Sequence, residues 1–174
     1  MLASVFIGTS VDGFIARRDG SLDFLPADGG EPHGYKEFFN STDALVIGRG
    51  TFETVVAFRQ WPYGDKRVIV LSSRPLDLLK APPNRVEQVQ GSPRQIVSNL
   101  EGQGIRHIYV DGGITIQRFL REGMIERLII TRVPILIGQG IPLFGSLPAD
   151  IRLENFQTQH YASGLVKTEY RGIS

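Results

Sequence analysis

The chain has 174 residues, 41% of them hydrophobic, a formal net charge of +1 and no cysteine. Such a length suits a single well-buried domain, near-neutrality excludes a global field for nucleic acid or an anionic membrane, and the missing thiol excludes disulfides, thiolate chemistry and sulfur-ligated zinc or iron. No apolar run approaches bilayer length, and Met1 to Ile7 lacks the basic stretch and cleavage pattern of a signal peptide, so a soluble cytoplasmic protein with no nucleic-acid or membrane partner is expected.

Leu2 to Gly8 is a short apolar run, read as a central strand buried on both faces, and it empties into a loop-like turn at Thr9 to Gly13. From Asp19 to Gly34 the chain is rich in Gly, Asp and Pro, the composition of a long connection that covers a site. A short helical pattern over Tyr35 to Asn40 precedes a second strand, Asp43 to Ile47; Gly48, Arg49, Gly50 and Thr51 follow, and Phe52 to Arg59 is expected to be helical. A turn at Trp61 to Gly64 leads to a third strand, Arg67 to Leu71, which ends in Ser72, Ser73, Arg74 and Pro75.

Arg85 to Gln90 is a weaker strand. Ser92, Pro93 and Gln95 then read as an N-cap, an N1 proline and a capping-box glutamine, opening a helix that runs to about Gly102. His107 to Val110 is β-branched and aromatic, a buried strand, and Asp111, Gly112 and Gly113 lead from it into a helix marked by Ile114, Ile116, Phe119 and Leu120 and stopped at Gly123. Met124 to Val133 is a strand, Pro134 to Phe144 an irregular apolar loop, and Leu153 to Tyr161 with Leu165 to Arg171 a hairpin about Ala162, Ser163 and Gly164. Strand alternates with helix as far as Val133, which argues an α/β fold with a mostly parallel sheet and an antiparallel hairpin at the C-terminal end.

Adjacent glycines at the mouth of a helix let backbone amides, with the positive end of the helix dipole behind them, approach a phosphate closely. Taken alone, Gly112-Gly113 is also an ordinary tight turn, Arg49 beside Thr51 an exposed arginine beside a cap, and Ser72-Ser73-Arg74 a polar turn. Taken together, three strand ends in one sheet, two with glycine opening a helix and two with arginine, argue one dinucleotide crevice with a phosphorylated nicotinamide cofactor. Gly8 and Gly13 do not supply the G-x-G-x-x-G spacing of a standard Rossmann domain. Asp12 is a candidate proton donor or relay, or simply part of an Asp-Gly turn; Asp111 is a candidate substrate contact, or caps the helix after it. His33, His107 and His160 share no metal-ligand spacing, and no metal site is expected. Phe38, Phe39, Trp61 and Phe144 are read mostly as core, with Phe38 or Phe39 available to stack on a flat heterocycle.

Ser10 to Gly13, Val46 to Glu53, Val70 to Ser73 and Val110 to Gly113 occur in the order and spacing of the dihydrofolate reductase superfamily, which this chain resembles over nearly its whole length. The Pro134 to Phe144 segment is more similar to the branch containing the reductase domain of the bifunctional riboflavin-biosynthesis deaminase-reductase. The resemblance implies a three-layer α/β/α fold on a mixed sheet of about eight strands and an NADPH-dependent reductase like 5-amino-6-(5-phosphoribosylamino)uracil reductase. It implies Gly48, Arg49, Thr51, Ser72, Ser73 and Arg74 near the adenosine phosphates, Gly112, Gly113 and Ile114 on the pyrophosphate, and Asp111 at the substrate. Related reductase domains pair, so a homodimer is expected.

Two departures qualify the substrate. Dihydrofolate reductases hold the pterin with an acid from the helix before the second strand, and here that helix carries Tyr35, Phe38 and Phe39, with Glu31 and Glu37 as the nearest acids. The riboflavin-pathway enzymes place an acidic motif after the matching threonine, whereas Thr51 is followed by Phe52-Glu53-Thr54-Val55. Dihydrofolate reductase and a non-catalytic nucleotide- or flavin-binding module stand as the alternatives. Because Gly112 reads as a loop position, Gly112→Val is expected to abolish cofactor binding and leave a folded domain.

Overall fold

Successive residues of a strand face opposite sides of its sheet, and in this chain both sides are apolar. In the computed structural model, which describes residues 1–26 and 33–172, that alternation divides the core into two layers. Eight strands form the sheet: β1 (Leu2–Ser10), β3 (Ala44–Gly48), β4 (Arg67–Leu71), β5 (Val86–Val89), β6 (His107–Asp111), β7 (Arg127–Val133), β9 (Glu154–His160) and β10 (Val166–Arg171). Their order is β5-β4-β3-β6-β1-β7-β10-β9; β5 to β7 pair in parallel, and β10 runs antiparallel to both β7 and β9. Val5, Val46, Ile108 and Val110 bury one face beneath α3 (Pro93–Gly102) and α4 (Gly113–Arg121). Leu45, Ile47 and Tyr109 bury the other beneath α1 (Tyr35–Ser41) and α2 (Arg49–Val55). This is the expected α/β/α fold, and β1 lies at its centre, flanked by β6 and β7.

The local signals act as read. Ser92 Oγ accepts from the Gln95 amide, and Gln95 returns the bond to the Ser92 amide, so α3 opens on a complete capping box with Pro93 at N1. At the end of α4, Gly123 sits at φ +64; its amide reaches Leu120 O and the Met124 amide reaches Phe119 O, the paired bonds of a Schellman stop.

Two expectations are corrected. The second helix is not Phe52 to Arg59: it begins at Arg49, because Gly48 is extended and serves as N-cap, and it ends at Val55, where Ala57 and Phe58 donate to carbonyls only three residues back. The Pro134 to Phe144 segment is not wholly irregular: β8 (Ile141–Pro142) pairs with β2 (Phe14–Ala16) as a separate two-stranded sheet. Strands this short carry no readable period. Part of the expected connection from Asp19 to Gly34, with Glu31, lies outside the described residues.

Candidate active site

The chain moves from β3 outward to β4 and β5, then returns to β6 on the other side of β3, so strand order reverses between β3 and β6. In a parallel sheet the helices leaving such neighbours diverge, opening a crevice at the carboxyl ends of the strands. Here β3 empties through Gly48 into α2, and β6 empties through Gly112 into α4. The two turns interlock. A Cβ at Gly112, which has φ +95, would fall on Thr51 Oγ1 of α2, and a Cβ at Gly48 would stand 2.7 Å from Thr115 Oγ1 of α4. Each threonine is the third residue of its helix and rests on the glycine that starts the other. Among the described residues no side chain caps either helix, so the first-turn amides have no intrahelical or capping acceptor there, and a Cβ at Gly50 would meet open space. That donor set suits an anion.

A cleft of about 800 Å³ runs along this edge. Asp111 and Tyr109 are two apart on β6 and therefore face the same side, toward α1 and α2, where Tyr35 and Tyr63 join them in the cleft wall. Burial pushes the Asp111 carboxyl up to about 6, against the opposing effect of a 2.8 Å bond from the Gly112 amide. Burial first, and the Asp111 charge second, push the Tyr35 phenol up to about 12 and the Tyr63 and Tyr109 phenols higher still. Tyr109 donates to Phe6 O at 2.8 Å, and its ring meets that of Tyr35 edge-on, centroids 6.4 Å apart. The floor therefore presents one carboxyl able to hold or release a proton near neutrality, framed by phenols that remain protonated.

Gly48, Arg49, Thr51, Arg74, Asp111, Gly112, Gly113 and Ile114 all line this cleft; Asp12, Ser72 and Ser73 do not. Arg49 is largely engaged by the protein: it donates to Ser72 Oγ at 3.1 and 3.0 Å, to the Arg74 and Pro75 carbonyls and to Glu53. Ser72 is buried and closes the same turn on the Arg74 backbone. Ser73 is exposed, its carbonyl taken by Gln90. The exposed Arg74 guanidinium makes no hydrogen bond or ion pair among the described residues. Asp12 is turned to the 134–144 segment, accepting from the Ile137 and Gly138 amides.

Sequence reasoning missed the tyrosines, Thr115 and Arg118, which also line the cleft. Phe38 is core, packed on Phe6 and Tyr109, and neither it nor Phe39 reaches the wall. A signal for Thr115 was present, since Gly48-Arg49-Gly50-Thr51 and Gly112-Gly113-Ile114-Thr115 repeat one pattern, as was the two-residue period that puts Tyr109 beside Asp111.

A family model for the RibD C-terminal domain matches residues 4–167. Among characterised and uncharacterised relatives, the Bacillus subtilis uncharacterized protein YwjB is 31% identical over 164 residues, 92% of each chain. Dihydrofolate reductase HdrB of Haloferax volcanii is 27% identical over 133 residues, 74% of this chain and 64% of that one. A protein of Shewanella sp. PV-4, provisionally described as a riboflavin biosynthesis protein, superposes with TM-score 0.91 at 36% identity over 100% of this chain and 99% of its own. Acinetobacter baumannii RibD gives TM-score 0.80 at 16% identity, a likeness of fold; the chain spans 58% of its length.

Proposed function

Because the chain belongs to the RibD C-terminal domain family, we propose that it is a reductase that uses NADPH to reduce a small heterocyclic or sugar-like carbonyl substrate. The observation that carries this reading is the cleft at the strand-order reversal, with two uncapped helix N-termini on one side and the Asp111 carboxyl among tyrosines on the other. NADPH, when bound, supplies the hydride. The Gly113, Ile114 and Thr115 amides and the α4 dipole hold the pyrophosphate, with Gly48, Gly112 and Thr51 keeping the cradle open. The 2′-phosphate falls to Arg74, on a turn that Arg49, Ser72 and Ser73 shape. Asp111, raised to about 6, is partly protonated just below neutral pH and passes that proton to the substrate or hydrogen-bonds it, while Tyr35 and Tyr63 wall the substrate in.

The relative named dihydrofolate reductase favours a second reading, dihydrofolate reduction. In that case Asp111 must replace the helix-borne acid, since Glu37 is exposed and absent from the cleft wall. Oxidation of NADPH, followed by absorbance against pterins, pyrimidines and carbonyl compounds, tests both. Binding of NADPH with no turnover of any of them would instead support a non-catalytic nucleotide-binding module. The homodimer implied by the resemblance is tested by sedimentation.

A further inference from the structure

We propose that Asp12 is a positioning residue whose carboxylate latches the 135–143 segment onto the end of β1 and so sets one wall of the cleft. Three successive residues after β1 hold that segment. Val11 donates to Ile135 O at 2.8 Å, Asp12 accepts from the Ile137 amide at 3.3 Å and the Gly138 amide at 2.7 Å, and Leu143 donates to Gly13 O at 3.0 Å. Gly138 has φ +73, and the turn there presents two consecutive amides to one carboxylate. The Ser10 hydroxyl, and after it those amides, hold the Asp12 carboxyl below its usual range, so at neutral pH it is an acceptor with no proton to give.

The latch fixes the small β2–β8 sheet at the cleft wall. β8 lies inside the held segment and pairs with β2, and Ile15, Ala16 and Ile141 of this small sheet line the cleft. The fit behind it is tight. A Cβ at Gly140 would fall on Ala16 O, and one at Gly113 would stand 2.9 Å from Pro142 O and 3.2 Å from Ile15 Cδ1. Gly113 opens α4, so the small sheet is packed directly against the first turn of the anion cradle. Asp12 acts through these contacts, not by touching a ligand.

The binding arm of the test rests on the NADPH reading above; the exchange arm does not. Amide hydrogen exchange, NADPH calorimetry and steady-state kinetics would be run on the full chain, wild type, Asp12→Ala and Asp12→Asn. In Asp12→Ala, residues 135–143 and 14–16 should exchange at least about tenfold faster while 107–121 keep their protection, and NADPH should bind about tenfold more weakly, the loss falling on KM rather than kcat. Asp12→Asn keeps an acceptor for Gly138 but has no titratable proton, and should stay within about threefold of wild type. Unchanged exchange in Asp12→Ala overturns the proposal. So does a collapse of kcat in both variants with loss of a limb of the pH profile, the signature of a proton donor. Should the wild type bind no NADPH, the functional reading fails and exchange alone decides the role of Asp12. Should Asp12→Ala fail to fold, Asp12→Asn decides it: matching wild-type protection supports the latch, and a collapse of kcat overturns it.

Discussion

Thr51 Oγ1 occupies the space that a Cβ at Gly112 would need. Gly112 therefore packs against a neighbouring helix, in a backbone conformation at φ +95 that other residues resist, and is not a tolerant loop position. Gly112→Ala should destabilise the fold by about 2–4 kcal/mol, the sum of the positive-φ penalty and overpacking. Gly112→Val should cost more, in place of the folded, cofactor-free domain expected from the loop reading. Denaturant unfolding checks the magnitude. Adding Thr51→Ala should restore the overpacking share, roughly 1–3 kcal/mol, and a double variant no more stable than Gly112→Ala would show that the clash is not the cause.

The arginines should separate cofactor recognition from architecture. Arg74→Ala should raise KM for NADPH about tenfold and leave NADH almost unchanged, with the preference for NADPH shrinking as salt rises because Arg74 is exposed. Arg49→Ala should instead lower stability by about 1–3 kcal/mol, since it strips donors from Ser72 and the turn after β4. Equal affinity of the wild type for NADPH and NADH would remove Arg74 from this role.

Asp111 makes a signed prediction about pH. Its carboxyl titrates near 3.8 when unfolded and near 6 when folded, so the folded state holds the extra proton between those values and wild-type stability declines as pH rises through that window. Asp111→Asn keeps the acceptor for the Gly112 amide without the buried charge. Its melting temperature should exceed that of the wild type at pH 8, and the difference should vanish below pH 4. In kinetics, the limb of the pH profile near 6 should disappear in this variant, and a limb that survives would assign the proton to another group.

Dihydrofolate should be a poor substrate. Of the α1 positions, Tyr35 lines the cleft and Phe38 is core, while Glu37 points to solvent, so the helix offers the pterin no anchoring acid. Turnover on the order of 1–1000 per second, lost on Glu37→Gln, would show that the helix face is misassigned. Turnover lost on Asp111→Asn but kept on Glu37→Gln would make the acid of β6 the pterin anchor.

The capping box at Ser92, the stop at Gly123 and the buried runs of β1, β3, β4 and β6 were all legible in the chain, because each depends on residues a few positions apart. So was the gathering of Gly48, Arg49, Thr51, Arg74 and Gly112 at one edge, because in a parallel sheet the strand ends converge whatever the loops do. Tertiary structure alone decided what those residues touch. Arg49 and Arg74 look alike in sequence, yet one is engaged by Ser72 and backbone carbonyls and the guanidinium of the other has no partner among the described residues, since, apart from Glu53, the partners of Arg49 lie 23 to 26 residues away. Asp12 and Asp111 both come at the end of an apolar run and precede glycine. One meets the amides of a segment 125 and 126 positions further on and stays charged, and the other is walled in by tyrosines from three elements of the chain and keeps its proton toward neutrality. Desolvation and long-range pairing set those differences, and neither has a local signature.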